Sequence, residues 1–320
     1  MPYYEDEDPT MATELTKKVQ AITYLLPAAD PVKDSQNFLN YIITKDQVLF
    51  NGRYSTIYAC FNPQEATNLT LMCRVFQPSS KIDPQNDLYL KILKTLDRKN
   101  PNIITTLDVF SDEQNYIYLF QELANRGNCL EYLRAGNYVD LKQMCRWAVQ
   151  IWSALDFLGE NAIAHRSIRP KHILVQASPN GQLDAKLSGF RDAILYWDPE
   201  TKSVIRLPKK SWDMIRYANF QAPDTCSRNS GESFNPIEAD IWSYGATFFY
   251  MIARLYPFDL TNLERLESIE NDINHRIESS LTLTDGAKKW LRKMLTVDAR
   301  QRTKFSGILD DSWIKSELST

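Results

Sequence analysis

The sequence predicts a two-lobed α+β protein, with a small β-rich lobe followed by a larger helical lobe. Two observations support this prediction. Residues 42–120 contain short runs rich in Ile, Val, Thr, Tyr and Phe, separated by turn residues, which is typical of β-strands. Beyond a polar stretch at residues 123–128, apolar residues recur at helical spacing over long segments. We therefore assign residues 41–123 to the small lobe and residues 124–320 to the large lobe.

Residues 1–40 are predicted to form an extension ahead of the small lobe. The first ten residues are acidic and contain two prolines, which favours disorder. Residues 13–26 have the spacing of an amphipathic helix, which would dock either on the domain or on a partner. Its apolar face consists of Leu15, Val19, Ile22 and Leu25. Pro27 and Pro31 then end the helix and introduce a linker.

Within each lobe, local patterns predict the individual elements. Runs of β-branched and aromatic residues predict strands at residues 42–50, 55–61, 69–76 and 116–120. Apolar residues at helical spacing predict helices at residues 87–96, 141–158, 237–254 and 284–295. The first of these helices belongs to the small lobe, and the other three belong to the large lobe.

Composition and charge exclude several classes of protein. The 320 residues are 43% hydrophobic and 24% charged, which is typical of soluble globular proteins. A net charge of -3 argues against nucleic acid or an anionic membrane surface as the partner. The most apolar stretch, residues 246–258, contains Arg254 and is too short to span a bilayer. Five cysteines without C-x-x-C spacing favour reduced thiols, so we expect a cytoplasmic protein without a membrane segment.

Two short runs in the large lobe contain chemically important residues in a recognisable order. Residues 165–175 read HRSIRPKHILV, and residues 186–192 read KLSGFRD. They resemble the catalytic loop and the metal-binding loop of protein kinases, which read H-R-D-L-x-x-x-N and D-F-G. In this alignment Ser167 stands at the catalytic Asp, and His172 and Gly189 stand at the two metal-binding positions.

Further kinase landmarks occur in the expected order along the chain. The run NPNII at residues 100–104 resembles H-P-N-I, and FQAPD at residues 220–224 resembles Y-x-A-P-E. DIWSYG at residues 240–245 resembles the D-I-W-S-x-G start of a central helix, and DARQRT at residues 298–303 resembles D-P-x-x-R-x-T. Glu122 stands at the hinge acid. The resemblance covers most of the chain and implies a bilobal protein-kinase-like fold.

The resemblance also implies which residues stabilise such a fold. His165 is expected to pack against Phe190 and to be steadied by Asp240, and Arg302 is expected to pair with Asp224. A packed column between the lobes is expected from Phe190, His165, Leu93 and Val109.

The positions that perform chemistry in kinases have changed. Gly52 is the single glycine in a loop that has three in kinases, and Arg74 replaces the third-strand Lys. In the helix that supplies a glutamate in kinases, the residue at the glutamate position is either Tyr89 or Lys91, depending on the landmark from which positions are counted. We expect no phosphoryl transfer and no bound metal, because the reaction needs positioned magnesium and a catalytic Asp, and both metal ligands and the Asp are replaced.

Within the kinase superfamily, the two loops resemble most closely those of the STRAD pseudokinase adaptors, which read H-R-S…H-I-L and L-S-G-L-R. Those adaptors also have Arg in place of the third-strand Lys. The resemblance implies a protein that holds an active-like shape and activates a partner kinase, in their case liver kinase B, together with a helical scaffold protein. STRAD proteins end in a Trp-Glu-Phe tail that engages the scaffold, whereas residues 316–320 read SELST, which argues against that scaffold here.

The resemblance further implies ATP binding without metal. The residues assigned to the nucleotide are Gly52, Arg74, Glu122, His172 and Arg191. His172 and Arg191 would place nitrogen groups where the metal ions lie, and with Arg74 they could neutralise phosphates. Two residues argue against nucleotide binding, because Met72 would fill part of the adenine slot and Phe50 would lie over the phosphates. Both outcomes stay open at this stage.

Several other residues have two interpretations. Trp197 and Trp212, in the would-be activation segment, are either interface anchors or packed on the large lobe. Arg191 could cap Asp192 or Asp184 instead of contacting phosphate.

Taken together, the sequence predicts a catalytically inactive pseudokinase that regulates a partner protein, a kinase, by contact and needs no cofactor. One alternative is a phosphotransferase with unconventional groups, in which Asp184, Ser188 or Asp192 is recruited for a metal. A second alternative is a scaffold that works without nucleotide.

Overall fold

A computed structural model of the chain describes residues 9–32, 38, 40–64, 70–210, 218–226, 231–258, 266–304 and 311–319. It has the two-lobed α+β architecture that the sequence predicts. Residues 1–8 and Trp212 lie outside the described residues. Disorder was predicted for the first ten residues, and this was wrong for residues 9 and 10, which belong to the first helix.

The small lobe is built on a sheet that, among the described residues, has six strands in the order β1-β5-β6-β4-β3-β2. These strands are β1 (Asp30–Pro31), β2 (Ile42–Asn51), β3 (Ser55–Phe61), β4 (Leu71–Phe76), β5 (Thr106–Ser111) and β6 (Ile117–Glu122). Neighbouring strands run antiparallel, except that β1 pairs with β5 in parallel. Helix α2 (Leu88–Leu96) packs on this sheet, and the Asp87 side chain caps its N-terminus.

The helices of the large lobe bury most of the apolar residues. They are α3 (Cys129–Arg134), α4 (Leu141–Glu160), α5 (Pro236–Ala253), α6 (Leu266–Ser279), α7 (Asp285–Met294) and α8 (Ser312–Ser319). α5 lies at the centre and contacts α4 and α7. Its apolar residues are buried on nearly every side, which explains why its sequence shows a continuous apolar run. No described helix is both long and apolar enough to cross a membrane.

Short strand pairs position the loops of the large lobe. β8 (Ile173–Ala177) pairs with β9 (Leu183–Leu187), and this pair carries the two loops that resemble kinase motifs. The other short strands are β7 (Ile163–Ala164), β10 (Ile194–Leu195), β11 (Trp197–Asp198), β12 (Ser203–Val204), β13 (Leu207–Pro208) and β14 (Ser233–Phe234). They pair as β7 with β10, β11 with β12, and β13 with β14.

The predicted N-terminal helix is present as α1 (Pro9–Thr23), and it docks on the protein itself. Leu15, Val19 and Ile22 are buried, as the sequence pattern predicts. Leu25, predicted to lie on the same face, follows the end of the helix and is half-buried, because the helix ends at Thr23. Trp197 is also buried, and its indole donates a hydrogen bond to Thr16 of α1. The interpretation of Trp197 as an exposed interface anchor was therefore wrong.

Some elements were not predicted from the sequence. β1 lies in the stretch expected to be a linker, and β5, α3, α6 and α8 had no prediction. α3 and β1 are too short for a periodic pattern to emerge, and α6 is mostly polar, with its apolar residues reduced to a narrow stripe. The stripe of α6 consists of Ile269, Ile273 and Ile277, all buried.

Candidate functional site

A cleft of about 940 Å³ lies between the two lobes. Its walls come from β4, α2, the segment after β6, and the loops that follow β7 and β9. The residues that the sequence analysis assigned to nucleotide line this cleft, except Gly52, which lies beside it under Phe50. The lining members of that set are Arg74, Glu122, His172 and Arg191. The fold thus brings together residues that lie more than a hundred positions apart in the chain.

Arg74 lies on β4 with its side chain in the cleft. Its guanidinium lies 5.9 Å from the centre of the Phe76 ring. The Nε atom of Arg74 is buried and has no hydrogen-bond partner in the described part of the chain. A buried guanidinium nitrogen without an acceptor is costly, so this position favours an anionic ligand.

Helix α2 directs Tyr89 into the cleft. Of Tyr89 and Lys91, the two candidates for the position of the kinase glutamate, Tyr89 is therefore the one that faces the cleft. Arg191 lies over the Tyr89 ring, with its guanidinium carbon 5.4 Å from the ring centre. Burial raises the pKa of the Tyr89 phenol, although nearby Arg74 and Arg191 act in the opposite direction. Tyr89 is thus a neutral phenol between two cations. Lys91 points away from the cleft and bonds to Thr23 of α1.

The imidazole of His172 is held on both nitrogens. Nδ1–H donates to the carbonyl oxygen of Ser167 at 2.7 Å, and Nε2 accepts from Arg169 at 3.0 Å. Burial, and then the neighbouring charge of Arg169, lowers the pKa of His172 to about 4. His172 is therefore neutral near pH 7. The positive charge that the sequence analysis expected there comes instead from the arginines around it.

Gly189 packs directly against His172. Its backbone is left-handed, with φ of +85°. A Cβ added at this position would overlap the Cγ, Nδ1 and Cδ2 atoms of the His172 ring. Asp can adopt a left-handed backbone, so the obstacle to a carboxylate at position 189 is the imidazole rather than the dihedral angle.

Magnesium does not fit at these two positions. Both ligands that kinases use are absent, and the imidazole fills the space beside Gly189. Magnesium prefers oxygen ligands, which His172 does not supply. Among the described residues, no group of three or more His, Cys, Asp or Glu side chains could hold a metal ion.

Within the described ranges, no hydrogen bond joins the Ser167 hydroxyl to a base. The neighbouring His165 is engaged elsewhere, because its Nδ1 accepts the backbone N–H of Ser167 at 3.2 Å and its Nε2–H donates to the carbonyl oxygen of Ser188 at 2.9 Å. Burial lowers the pKa of His165 to about 3. The side chain is fully buried and acts as a packed residue.

The catalytic-loop backbone is anchored by Asp240 from α5. Its carboxylate accepts the backbone N–H groups of His165 at 2.7 Å and Arg166 at 2.8 Å. Arg166 has a positive φ of 63°, a strained conformation for a residue with a side chain, which these bonds help to hold. Burial raises the pKa of Asp240 to about 7, against the effect of the two N–H donors. Asp240 therefore steadies the loop through its backbone.

One contact of the predicted packed column is present, between His165 and Phe190, whose rings are 5.0 Å apart in an edge-to-face arrangement. Leu93 and Val109 are buried in the large apolar core that also contains Phe190, and the column itself stays a prediction.

Arg302 is the most completely bonded cation in the large lobe that the structure describes. Its side chain is fully buried, it pairs with Asp224, and its guanidinium lies 5.0 Å from the centre of the Trp242 ring. Three backbone carbonyls at 2.8 to 3.1 Å complete its acceptors, those of Thr296, Glu238 and Val297.

Glu122 is buried, and its side chain is already engaged. One carboxylate oxygen accepts from Lys186 at 2.8 Å and from the backbone N–H of Thr105 at 2.7 Å. Sequence analysis did not identify Lys186, because nothing in the chain links positions 122 and 186 before β6 and β9 are packed together. This ion pair joins the end of β6 to β9.

Two of the three residues proposed as substitute metal ligands are engaged elsewhere. Asp184 accepts hydrogen bonds from Gln150 at 2.7 Å and Gln182 at 3.0 Å and does not line the cleft. The Ser188 hydroxyl donates to the carbonyl oxygen of His172 at 3.0 Å. Asp192 lines the cleft but stands alone as an acid near the metal loop.

The upper wall of the cleft is more apolar than in the kinase pattern. Met72 and Phe50 both line it, as the sequence analysis expected. A Cβ at Gly52 would lie 2.9 Å from the Phe50 ring, so Gly52 allows that ring to fold over the loop.

The cleft is positively charged in a chain whose net charge is -3. Its lining contains six basic and three acidic side chains. The basic ones are Arg74, Arg166, Arg169, Lys171, Arg191 and Lys210, and the acidic ones are Glu122, Glu131 and Asp192. One of the acids, Glu122, is already neutralised by Lys186. The excess charge favours an anion in the cleft.

The sequence pattern of the protein kinase domain matches residues 43–314. The serine/threonine-protein kinase PKH2 of Saccharomyces cerevisiae is 30% identical in an alignment of 224 positions that covers 67% of this chain and 19% of that protein. The MAP kinase-interacting serine/threonine-protein kinase mnk-1 of Caenorhabditis elegans is 23% identical in an alignment of 342 positions, gaps included, that covers 99% of this chain and 48% of that protein. The probable serine/threonine-protein kinase FMP48 of Saccharomyces cerevisiae is 26% identical in an alignment of 253 positions that covers 71% of this chain and 63% of that protein. This chain therefore spans less than two thirds of each of these relatives.

Proposed function

The chain belongs to the protein kinase family, and we propose that it is a pseudokinase that regulates a partner protein, itself a kinase, by contact and without transferring phosphate. The observation that supports this most strongly is the packing of His172 against Gly189. The imidazole takes the volume of a metal-binding carboxylate, while the contacts that hold the kinase fold around it are kept.

Phosphoryl transfer needs a group to orient the attacking hydroxyl and metal ions to neutralise the phosphates. Ser167 has no base beside it, and neither metal position has an oxygen ligand. Loss of a single arginine finger lowers the rate of related enzymes by roughly 10³ to 10⁵. Losing both functions together leaves no route to a useful rate, although the separate losses are not additive.

Regulation by contact follows from what the protein keeps. The catalytic-loop backbone is anchored by Asp240, and the C-terminal part of the large lobe is held by Arg302. These contacts support a defined conformation without supporting chemistry. The resemblance of the two loops to the STRAD adaptors suggests a kinase as the partner, and the ending SELST gives no support for their helical scaffold protein. Five buried free thiols are consistent with action in the reducing cytoplasm.

The cleft supports a second part of the proposal, which is nucleotide binding without metal. Arg74 has a buried nitrogen without an acceptor, and Arg191 lies across Tyr89 from it. Phosphate oxygens would satisfy both guanidinium groups through charge-assisted hydrogen bonds. Because His172 is neutral, the arginines carry the phosphate charge in this arrangement. Met72 and Phe50 narrow the cleft and favour the competing view of a scaffold without nucleotide.

A turnover assay tests the loss of transfer. We expect no phosphate release or incorporation from radiolabelled ATP with magnesium or manganese, above the level of an Arg74→Ala control. Turnover that disappears in this control would show that the enzyme alternative is correct.

A thermal-shift titration tests the nucleotide. We expect ATP with EDTA to raise the melting temperature as much as ATP with magnesium, since a ligand at a hundred times its dissociation constant adds about 2.7 kcal/mol of stability. Arg74→Met should remove the shift, because the chain keeps its fold but loses the phosphate donor. If millimolar ATP gives no shift under either condition, the protein works as a scaffold without nucleotide.

Affinity capture with the full chain tests the partner. We expect a kinase among the captured proteins, with activity that rises when the purified chain is added back. A partner set without any kinase would contradict this part of the proposal.

A further inference from the structure

The N-terminal segment lies outside the matched kinase domain but is firmly attached to it. The family pattern begins at residue 43, whereas residues 9–32 are described and pack on the small lobe. This segment contacts α2 and the residues just before it. Its contacts fall into three groups, at the helix face, at the chain after the helix, and at the large lobe.

The first group lies between α1 and α2. Leu15, Val19 and Ile22 form the buried face of α1, with at most 6% of each side chain exposed. Lys91 of α2 is also buried and donates to the carbonyl oxygen of Thr23, in the last turn of α1. A cation near a helix C-terminus satisfies free carbonyl groups and interacts favourably with the helix dipole.

The second group holds the chain after α1. The Lys94 ammonium binds the carboxylate of Asp30 at 3.0 Å and the carbonyl oxygen of Pro27 at 3.2 Å. The backbone N–H groups of Ala28 and Ala29, both fully buried, donate to residues just before α2 at 2.9 and 2.6 Å. β1 then adds a strand to the free edge of β5. Both long cations on this part of α2 are therefore bound by the N-terminal segment.

The third group reaches the large lobe. The indole Nε1–H of Trp197 donates to the hydroxyl oxygen of Thr16 at 3.2 Å. Trp197 begins β11, which pairs with β12 a few residues after the metal loop. One segment therefore contacts α2 in the small lobe and the start of the activation segment in the large lobe.

We propose that residues 9–31 form an intramolecular brace that fixes α2 relative to the large lobe. The brace keeps Tyr89 directed into the cleft, because α2 cannot rotate or move outward while its outer face is covered and its two lysines are bound. It also covers the outer face of α2, so a protein partner reaches that face only by displacing residues 9–31. Release of the brace is then a means of changing the shape of the cleft. This inference does not depend on nucleotide binding.

Hydrogen exchange on the full chain tests the brace with two neighbouring substitutions on α1. Val19→Asp places a carboxylate on the buried face, and Gln20→Asp places the same group on the exposed face. We expect amides of Leu88–Leu96 and of residues 197–204 to exchange at least roughly tenfold faster in Val19→Asp than in Gln20→Asp. Amides in the middle of α4 serve as the reference and should keep the wild-type rate.

A milder variant separates the two ends of the brace. Thr16→Val keeps the size of the side chain and removes the acceptor for Trp197. It should speed exchange in residues 197–204 and leave α2 unchanged. The proposal is overturned if Val19→Asp leaves α2 at the wild-type rate, or if α4 accelerates equally, since that would be global loss of stability. It is also overturned if Thr16→Val leaves residues 197–204 unchanged.

Discussion

The two kinase-like loops differ from the kinase pattern, whereas the frame that holds them matches it. In the loops, Ser167, His172 and Gly189 differ from the kinase pattern but contact one another. His172 donates a hydrogen bond to the carbonyl oxygen of Ser167, and its ring packs against Gly189. In the frame, Asp240 and Arg302 match the pattern and keep its contacts. The comparison shows that the contacts that hold the fold and the positions that differ from the kinase pattern involve different residues, so a change at those positions leaves the fold contacts in place.

The two regions also treat charge differently. Burial leaves both loop histidines neutral, with the pKa of His172 lowered to about 4 and that of His165 to about 3. The frame instead buries a charged group, Arg302, and surrounds it with oxygen acceptors. A buried charge needs such a complete set of partners, whereas a neutral imidazole needs only two hydrogen bonds.

The largest effect is expected from breaking the frame. Arg302→Leu should lower the free energy of unfolding by about 3 kcal/mol, because the partly buried Asp224 and three backbone carbonyls would lose their partner. Arg300→Leu is the matched control, since its ion pair with Asp298 is exposed, and it should cost far less than Arg302→Leu. Urea denaturation measures both variants. Equal losses would mean that Arg302 is not a determinant of the frame.

A smaller effect is expected from the contact between the two loops. Gly189→Asp should cost about 1–3 kcal/mol, since the new side chain overlaps the His172 ring. His172→Asn in the same chain should recover at least about 0.5 kcal/mol of that loss, because the smaller amide vacates the space. Denaturation of the two single variants and the double variant gives the coupling. Simple additivity would show that the imidazole is not what excludes the carboxylate.

Acid should weaken the protein through His172. The folded pKa of about 4 lies below the unfolded value of about 6.5, so the stabilising contribution is complete above the unfolded value and is lost as the pH falls towards 4. Between neutral pH and about pH 5, His172 should account for a loss of about 2 kcal/mol. His172→Asn should lose that much less over the same interval. The raised pKa of Asp240 has the opposite sign but is shared by both proteins, so it cancels.

The smallest effect is expected at the rim of the cleft. Arg191 is exposed and stacks on Tyr89, so Arg191→Gln should change the free energy of unfolding by no more than about 0.5 kcal/mol. The same variant should weaken ATP-induced stabilisation in the presence of EDTA. A large loss of stability in the absence of ligand would show that Arg191 stabilises the fold, as Arg302 does, and would contradict its assignment to ligand binding.

Much of the fold was predictable because its signals are local. β3 and the start of α4 agree with the sequence predictions, and the buried face of α1 was identified from helical spacing. The predicted pairs of Arg302 with Asp224, and of His165 with Phe190, also occur. β1 was missed because two residues have no periodicity, and they form a strand only by pairing with β5.

The residue types of the site were predictable, but their arrangement was not. The sequence alone shows which residues stand at the positions that resemble kinase motifs, because residue types are read directly from the chain. It could not show that Lys186 engages Glu122, since that ion pair joins residues from two separate strands.

The tertiary structure decided which of the remaining groups face the cleft and which of them carry charge. It directs Tyr89 inward and Lys91 towards α1, and it makes His172 neutral. The physical reason is that a pKa, a steric overlap and a covered helix face all depend on burial among residues distant in the sequence. The sequence by itself determined which residue types stand in the loops that resemble kinase motifs, and the packing determined which of those residues contact one another.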